Sequence, residues 1–372
     1  MTGAGACIGI ASLTWPCRLT LSDSLTLGRG AMFMRVFITG GSGLIGRHLA
    51  RGLLEAGHQP VILSRHSDVV RRKPEFRHYQ VVQGDPTTEG RWQDEIDGCD
   101  AVVNLAGHNL FAERWNTEIK RKIRDSRVHG TDHVVAAISR ARKKPGVLVQ
   151  ASAIGYYGPH GDEELDETSP SGADFLAVVC REWEQTAEPV TQQGVRLAIV
   201  RIGIVLAPGE GALAFMTPIF KLGPGAPIGS GGSFLAKGQQ WMSWVHIDDI
   251  AGIFQMAVEK AEATGPINGT APNPVRNAEF SKTLSSVLRK PYTPWRFFLP
   301  VGPPDFVIQL MLGEVAGVVT TGQKVLPTRA RVLGYHYRFP DLVAALRDVY
   351  TPKPVPSPPS QKPVAAGAGS HH

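Results

Sequence analysis

Met34-Arg35-Val36-Phe37-Ile38-Thr39-Gly40-Gly41-Ser42-Gly43-Leu44-Ile45-Gly46 is the stretch that decides the fold of this 372-residue chain. The apolar run from Met34 to Thr39 has the length of a short buried strand, and it leads straight into glycines. Beyond them, Leu44, Ile45, Leu49, Leu53 and Leu54 recur at helical spacing, and Gly57 ends the pattern. Each glycine at the junction has a separate physical job. Gly40 permits the tight turn, Gly43 lets backbone come close to a pyrophosphate, and Gly46 lets helix and strand pack tightly. The N–H groups of such a turn, together with the positive helix end, favour an anion. Gly40, Ser42, Gly43, Leu44, Ile45 and Gly46 are therefore the candidate phosphate cradle.

The same alternation continues outward. Apolar strand patterns are expected at Pro60–Ser64, Tyr79–Val82, Ala101–Asn104, Val147–Gln150 and Arg196–Ile204. Long helices are expected over about 116–140 and 174–192, while 223–238 is rich in Gly and Pro and reads as a loop. Trp241–His246 reads as a further strand, with Asp248-Asp249 opening the next helix. Strands alternating with helices predict an α/β fold: a doubly wound parallel sheet of the Rossmann type, covered on both faces. A smaller, mostly helical substrate-side region is expected after it. The expected boundaries are an extension outside the fold at 1–33, the main domain at 34–290, a small C-terminal domain at 291–350 and a Pro-rich flexible tail at 351–372.

The end of the second strand chooses between dinucleotides. An acid there would bond a ribose 2′-hydroxyl, but the chain carries Ser64-Arg65-His66. Arg65 suits a 2′-phosphate through a charge-assisted contact, which points to NADP(H). Asp85, after the third strand, lies where an adenine amino group needs an acceptor. Leu105, Ala106 and Gly107, after the fourth, allow a cofactor to pass close to the sheet edge.

Bulk properties narrow the rest. The formal net charge is +6, and its basic stretches read as solvated helix faces rather than a nucleic-acid surface. There is no run of about 20 apolar residues, the length needed to span a membrane. The four cysteines show no CxxC and no zinc spacing, so neither a disulfide framework nor a metal site is expected. A cytoplasmic protein is expected. Residues 1–33 contain one acid, Asp23, and leave an organellar targeting peptide as the alternative. The substrate and the oligomeric state cannot be read.

Several motifs together resemble one family. TGGSGLIG at 39–46, SR at 64–65, NLAG at 104–107, IRDSRV at 123–128 and ASAIGYYG at 151–158 are joined by FLAVVCREWE at 175–184, VRIGIVL at 200–206 and WMSWVHIDDIA at 241–251. NGTAPNPVRNAEF at 268–280 and GQKVLPTRARVLGY at 322–335 complete the set. The chain resembles the atypical extended short-chain dehydrogenase/reductases, in the NAD-dependent epimerase/dehydratase-like "epimerase family protein" group. That resemblance implies cofactor contacts at Ser64, Arg65, Leu105, Ala106, Arg127 and Val205.

The wider superfamily works through a Tyr-x-x-x-Lys pair with a Ser or Thr. The lysine lowers the tyrosine's pKa so that the phenol can exchange a proton as hydride moves. None of the seven tyrosines here has lysine four residues later, and no lysine lies between Lys144 and Lys221. Ser152, Tyr156 and Tyr157 are the candidate catalytic residues that remain. Cys180 reads as buried, His246 as either a titrating group or a structural hydrogen bonder, and the acids from Glu163 to Glu167 as a solvated loop. Two functions stay open. One is an NADP(H)-dependent epimerase- or oxidoreductase-like enzyme acting on a small carbonyl or sugar-nucleotide-like substrate. The other is a non-catalytic NADP(H)-binding sensor or partner-binding protein.

Overall fold

The computed structural model describes residues 33–222, 225–227, 238–292, 314, 317 and 320–351. The expected extension up to residue 32, most of the Gly/Pro loop, the start of the C-terminal domain and the tail from residue 352 lie outside the described residues.

The chain begins with β1 (Arg35–Thr39), α1 (Leu44–Glu55), β2 (Gln59–Ser64), α2 (Ser67–Arg72), β3 (Gln80–Gln83), β4 (Ala101–Asn104) and α3 (Thr117–Arg140). There follow β5 (Val147–Ala153), β6 (Glu164–Leu165), α4 (Phe175–Ala187), β7 (Arg196–Ile202), β8 (Ile204–Ala207) and α5 (Gly211–Leu222). Next come β9 (Trp241–Met242), β10 (Trp244–His246), α6 (Ile247–Glu259), β11 (Gly265–Gly269), β12 (Val275–Arg276) and α7 (Asn277–Val287). The described part of the C-terminal region adds β13 (Lys324–Val325), α8 (Thr328–Val332) and α9 (Leu342–Tyr350).

Seven parallel strands form the central sheet in the order β11-β7-β5-β4-β1-β2-β3. Strand alternation sends Val36 and Ile38 into the core layer that holds α1 and α6, and Phe37 into the layer that holds α3. Both faces are thus apolar and covered, as a parallel sheet requires. The strand order reverses between β1 and β4, and ligands of such sheets bind at the carboxyl edge of that switch point.

Departures from the expected elements have local causes. The helix of 174–192 stops at Ala187, because Pro189 opens a 3₁₀ turn in its place. The strand of 196–204 divides at Gly203. There a Cβ would lie 2.6 Å from the Ser243 carbonyl oxygen, so a second segment crosses too closely for any side chain. β8 then leaves the main sheet and pairs with β10, while β9 pairs with β12.

Candidate functional site

The glycine turn sits at the switch point. Gly40 has φ 65°, and a Cβ there would lie 3.0 Å from the Leu105 carbonyl carbon, so only glycine fits between β1 and the β4 loop. A Cβ on Gly46 would fall 2.4 Å from the Gly40 carbonyl oxygen. Gly43 is the N-cap of α1, and no side chain caps the amides there. The first turn contains no acid. The positive end of α1 therefore keeps N–H donors that no side-chain cap occupies and that can serve an anion.

A buried polar ladder fixes the opposite wall. Thr39 donates its hydroxyl to Asn104 Oδ1 at 2.5 Å and accepts the Leu105 and Ala106 N–H groups, each at 3.2 Å. Asn104 Nδ2 donates to Thr131 and to Gln150, both at 2.9 Å, and the Trp183 indole donates to Thr131. Burial makes each of these bonds costly to break, so residues 104–107 are held rigidly beside the glycines.

Arg127 of α3 lies against this wall. A Cβ on Gly107 would be 3.2 Å from its guanidinium carbon, and the guanidinium stands 5.1 Å over the Trp183 ring. Burial pulls its pKa down, and no carboxylate acts on it among the described residues. One N–H donates to the Ile123 carbonyl. A half-buried cation on which no carboxylate among the described residues acts, lying against Gly107, suits a negatively charged ligand.

The turn after β2 is clamped by a residue the sequence did not single out. Gln83 of β3 donates Nε2 to the Arg65 carbonyl at 2.8 Å and accepts the Ser67 N–H at 3.0 Å. Ser64 Oγ accepts the His66 N–H, and the Arg65 side chain stays exposed. Asp85 Oδ1 accepts the Thr87 N–H and hydroxyl, an Asx turn closing its own loop. Val205 of β8 pairs with Val245 of β10, and its carbonyl oxygen abuts Gly211 at the start of α5.

The candidate catalytic residues are placed unequally. Ser152 and Tyr157 are fully buried, at 1% and 0% exposure. Ser152 donates to Glu184 Oε1 at 2.6 Å. Glu184 holds Arg201 from both oxygens, at 2.9 and 2.8 Å. Arg201 donates on to the Tyr157 hydroxyl at 3.0 Å, and Tyr157 donates to Asn268 Oδ1 at 2.7 Å. Burial pushes the Tyr157 phenol up to about 12, against the opposing charge and hydrogen bond of Arg201. Both hydroxyls are consumed inside the protein. Tyr156 differs, being partly rather than fully buried, with its ring centroid 3.5 Å from the Arg201 guanidinium carbon. Arg201 is thus the cation beside these tyrosines. Spacing rules missed it because it comes from β7 rather than from one turn along the same helix.

Other expectations divide. Cys180 is buried, and burial pushes its thiol up to about 11, so it is no nucleophile at neutral pH. His246 caps α6 by accepting the Asp248 N–H at 3.2 Å, and its Nε2 lies 3.2 Å from Asp348. The ligand atoms of His246, Asp248 and Asp348 lie within 4.8 Å of one another, and Asp248 also meets His48 at 3.3 Å. The acidic loop is not simply solvated. Glu167 turns inward to accept the Asn268 and Arg329 N–H groups, and Glu164 pairs with Lys324 across β6 and β13. No helix among the described residues is long and apolar enough to cross a membrane.

Fold and site together define a class: a doubly wound parallel-sheet protein of the extended short-chain dehydrogenase/reductase type, with an open glycine turn at its switch point. Within that class the chain belongs to the NAD dependent epimerase/dehydratase family, whose model matches residues 36–268. A second model, "Domain of unknown function (DUF1731)", matches residues 303–349. The chain is 43% identical over 321 residues to an Arabidopsis thaliana protein named "Epimerase family protein SDR39U1 homolog, chloroplastic", covering 85% of this chain and 86% of that one. It is 36% identical over 315 residues to "Epimerase family protein YfhF" of Bacillus subtilis, covering 84% and 97%. The crystal structure of human epimerase family protein SDR39U1 (isoform 2) with NADPH superposes with a TM-score of 0.72 at 34% identity, covering 85% of this chain and 99% of that one.

Proposed function

We propose that this protein binds NADP(H) between the glycine turn and the 105–107 wall, and that it exchanges hydride with a small carbonyl or sugar-nucleotide-like substrate. The observation that carries the reading is Arg127, a half-buried cation with no carboxylate acting on it among the described residues, set against Gly107 beside the open α1 N-terminus. The residues fit the cofactor. Gly40, Gly43 and Gly46 leave room for a pyrophosphate, and Ser42, Leu44 and Ile45 line the turn with their backbone. Arg65, exposed on a turn clamped by Gln83, meets a 2′-phosphate. Ser64, Leu105, Ala106, Val205 and Asp85 complete the wall on this reading. The NADPH bound to human SDR39U1 supports the choice of cofactor. Of the two compartments, the chloroplastic relative favours an organelle.

NADPH, when bound, supplies the hydride. The protein's own part is to bind, orient and handle one proton. Ser152 and Tyr157 support the site through Glu184 and Arg201 rather than touching a substrate. Tyr156 is the phenol left to face the reacting carbonyl, and Arg201 beneath its ring fixes its position. Replacing Tyr156 with Phe should slow hydride transfer by about 100-fold or more, measured as NADPH absorbance loss with a panel of carbonyl compounds. Tyr157→Phe should leave that rate within a few-fold. The locked state of Ser152 and Tyr157 is what favours the second reading, a cofactor sensor. Saturable NADPH binding with no oxidation by any compound of the panel would decide for it.

A further inference from the structure

The turn that carries Tyr156 is held from outside by the C-terminal region. Ile154–Tyr157 is a single 3₁₀ turn that follows β5, and each of its carbonyls has a partner. The Gly155 carbonyl accepts the Gly158 N–H at 3.1 Å, and the Tyr156 carbonyl accepts the Gly172 N–H at 2.9 Å. His160 Nε2 donates to the Tyr157 carbonyl at 3.1 Å. The remaining carbonyl, that of Ile154, accepts the side-chain amide of Gln323 at 2.8 Å, from a residue 169 positions further along the chain.

Gln323 is itself gripped. Its carbonyl accepts the Ser243 hydroxyl at 2.8 Å, and Ser243 Oγ accepts the Val325 N–H at 2.9 Å. Lys324 and Val325 form β13, which pairs in register with Glu164 and Leu165 of β6. Val325 is fully buried in a small apolar cluster with Ile154, Tyr157 and Leu165, and Tyr156 packs against that cluster. The Gly322 carbonyl accepts the His160 N–H at 3.0 Å. The Leu326 carbonyl accepts Asn268 Nδ2 at 2.9 Å, and the same Asn268 accepts the Tyr157 hydroxyl. Gly322, Gln323, Val325 and Leu326 thus each touch the tyrosine turn or a group bonded to it.

A short 3₁₀ turn has poorer internal hydrogen-bond geometry than an α-helix, so its surroundings do much to set its shape. A carbonyl deprived of its partner away from water costs free energy, and the backbone moves to find another donor. Arg201 lies against the Tyr156 ring, but the backbone that carries the ring is set two residues earlier, at Ile154. We infer that residues 322–326 brace the tyrosine turn, with Gln323 as the positioning residue that aims the Tyr156 hydroxyl. The inference rests on the hydride-transfer reading above and gives the small C-terminal region a task in it. A phenol exchanges a proton only within hydrogen-bond reach, and a misplacement of about 1 Å can cost about 100-fold in rate.

Fluorine NMR of the full chain, labelled throughout with 3-fluorotyrosine, tests the brace without cofactor or substrate. The Tyr156 resonance is the one missing from Tyr156→Phe. Gln323→Met keeps the length of the side chain and removes its N–H, and Gln323→Glu keeps its shape and does the same. Gln323 is only partly buried, so both variants should fold. In both, the Tyr156 resonance should shift or broaden, while that of Tyr79, just before β3 at the far edge of the sheet, stays in place. With NADPH and a carbonyl compound of the panel, kcat should fall about 10- to 100-fold, with KM and NADPH affinity within about twofold of the wild type. A Tyr156 resonance unmoved in both variants would overturn the inference, as would equal movement of Tyr79, the mark of general loosening, or an unchanged kcat. If the wild type oxidises no NADPH, the hydride-transfer reading falls separately, and the fluorine spectra still decide the brace.

Discussion

Glu184→Gln removes one charge from the buried network and changes almost no volume. Glu184 accepts the Ser152 hydroxyl and the Arg201 Nε–H on one oxygen, and the Arg201 Nη2–H on the other. Glutamine turns one of those oxygens into an NH2 group. In either orientation a donor then meets a donor, and Arg201, 3% exposed, is left buried without a counter-charge. Breaking a buried pair from one side costs about 3–5 kcal/mol. At about 2–4 °C per kcal/mol for a domain of this size, the melting temperature should fall by about 6–20 °C. Calorimetry at neutral pH reads this directly, and Glu184→Gln combined with Arg201→Met should recover much of the loss, because the double variant buries no lone charge. Desolvation alone would lower the Arg201 pKa, but the hydrogen bonds and charge of Glu184 outweigh it and the net shift is upward. A raised folded pKa gives stability that is present below the unfolded pKa and lost only as pH rises through the folded one. Both values lie above ordinary working pH, so the Arg201 contribution should be flat between about pH 5 and 10. A single-variant cost below about 1 kcal/mol, the worth of an exposed pair, would refute the reasoning.

Alkali should act through the tyrosines. Burial raises Tyr157 to about 12 and Tyr335 and Tyr337 in the same direction, so their stabilising effect is complete below the unfolded value of about 10 and is lost as pH rises through the folded one. Phenolate absorbance of these groups should therefore grow only as the fold melts, and titration of all seven tyrosines around pH 10 in the folded state would contradict this. In the cradle, Gly46→Ala places a methyl 2.4 Å from the Gly40 carbonyl oxygen and 2.6 Å from the Gly41 Cα. NADPH affinity should fall about 100-fold or more, and an unchanged affinity by fluorescence titration would remove the glycine turn from the site.

The first βαβ unit was legible because its signals are local: an apolar strand, three spaced glycines and a helical stripe lie within about twenty residues. The network that matters most to the candidate chemistry was not legible. Arg201 reads as one polar residue in an apolar strand, and its meaning comes from Glu184 on α4 and the tyrosines after β5, which sequence spacing cannot connect. Gln83 was hidden for the same reason. β11, Gly265-Pro266-Ile267-Asn268-Gly269, has one strand-forming residue, Ile267, among five, and its Pro is tolerated because it lies at the edge of the sheet. Gly203 separates β7 from β8 through a contact with Ser243, forty residues away in the sequence. Sequence did expose the absence of the Tyr-x-x-x-Lys pair. The structure adds that a guanidinium from another strand occupies the neighbourhood of the tyrosines.

Arg65→Ala tests the central claim, that an NADP(H) site is built on the glycine turn and the clamped β2 turn. NADPH and NADH are titrated separately into the wild type and the variant, with binding followed by nicotinamide fluorescence. A charge-assisted contact to the 2′-phosphate is worth about 1.5–3 kcal/mol, so NADPH affinity should fall about 10- to 100-fold while NADH affinity stays within about twofold. Equal losses for the two cofactors, or a wild type that prefers NADH, would contradict the account.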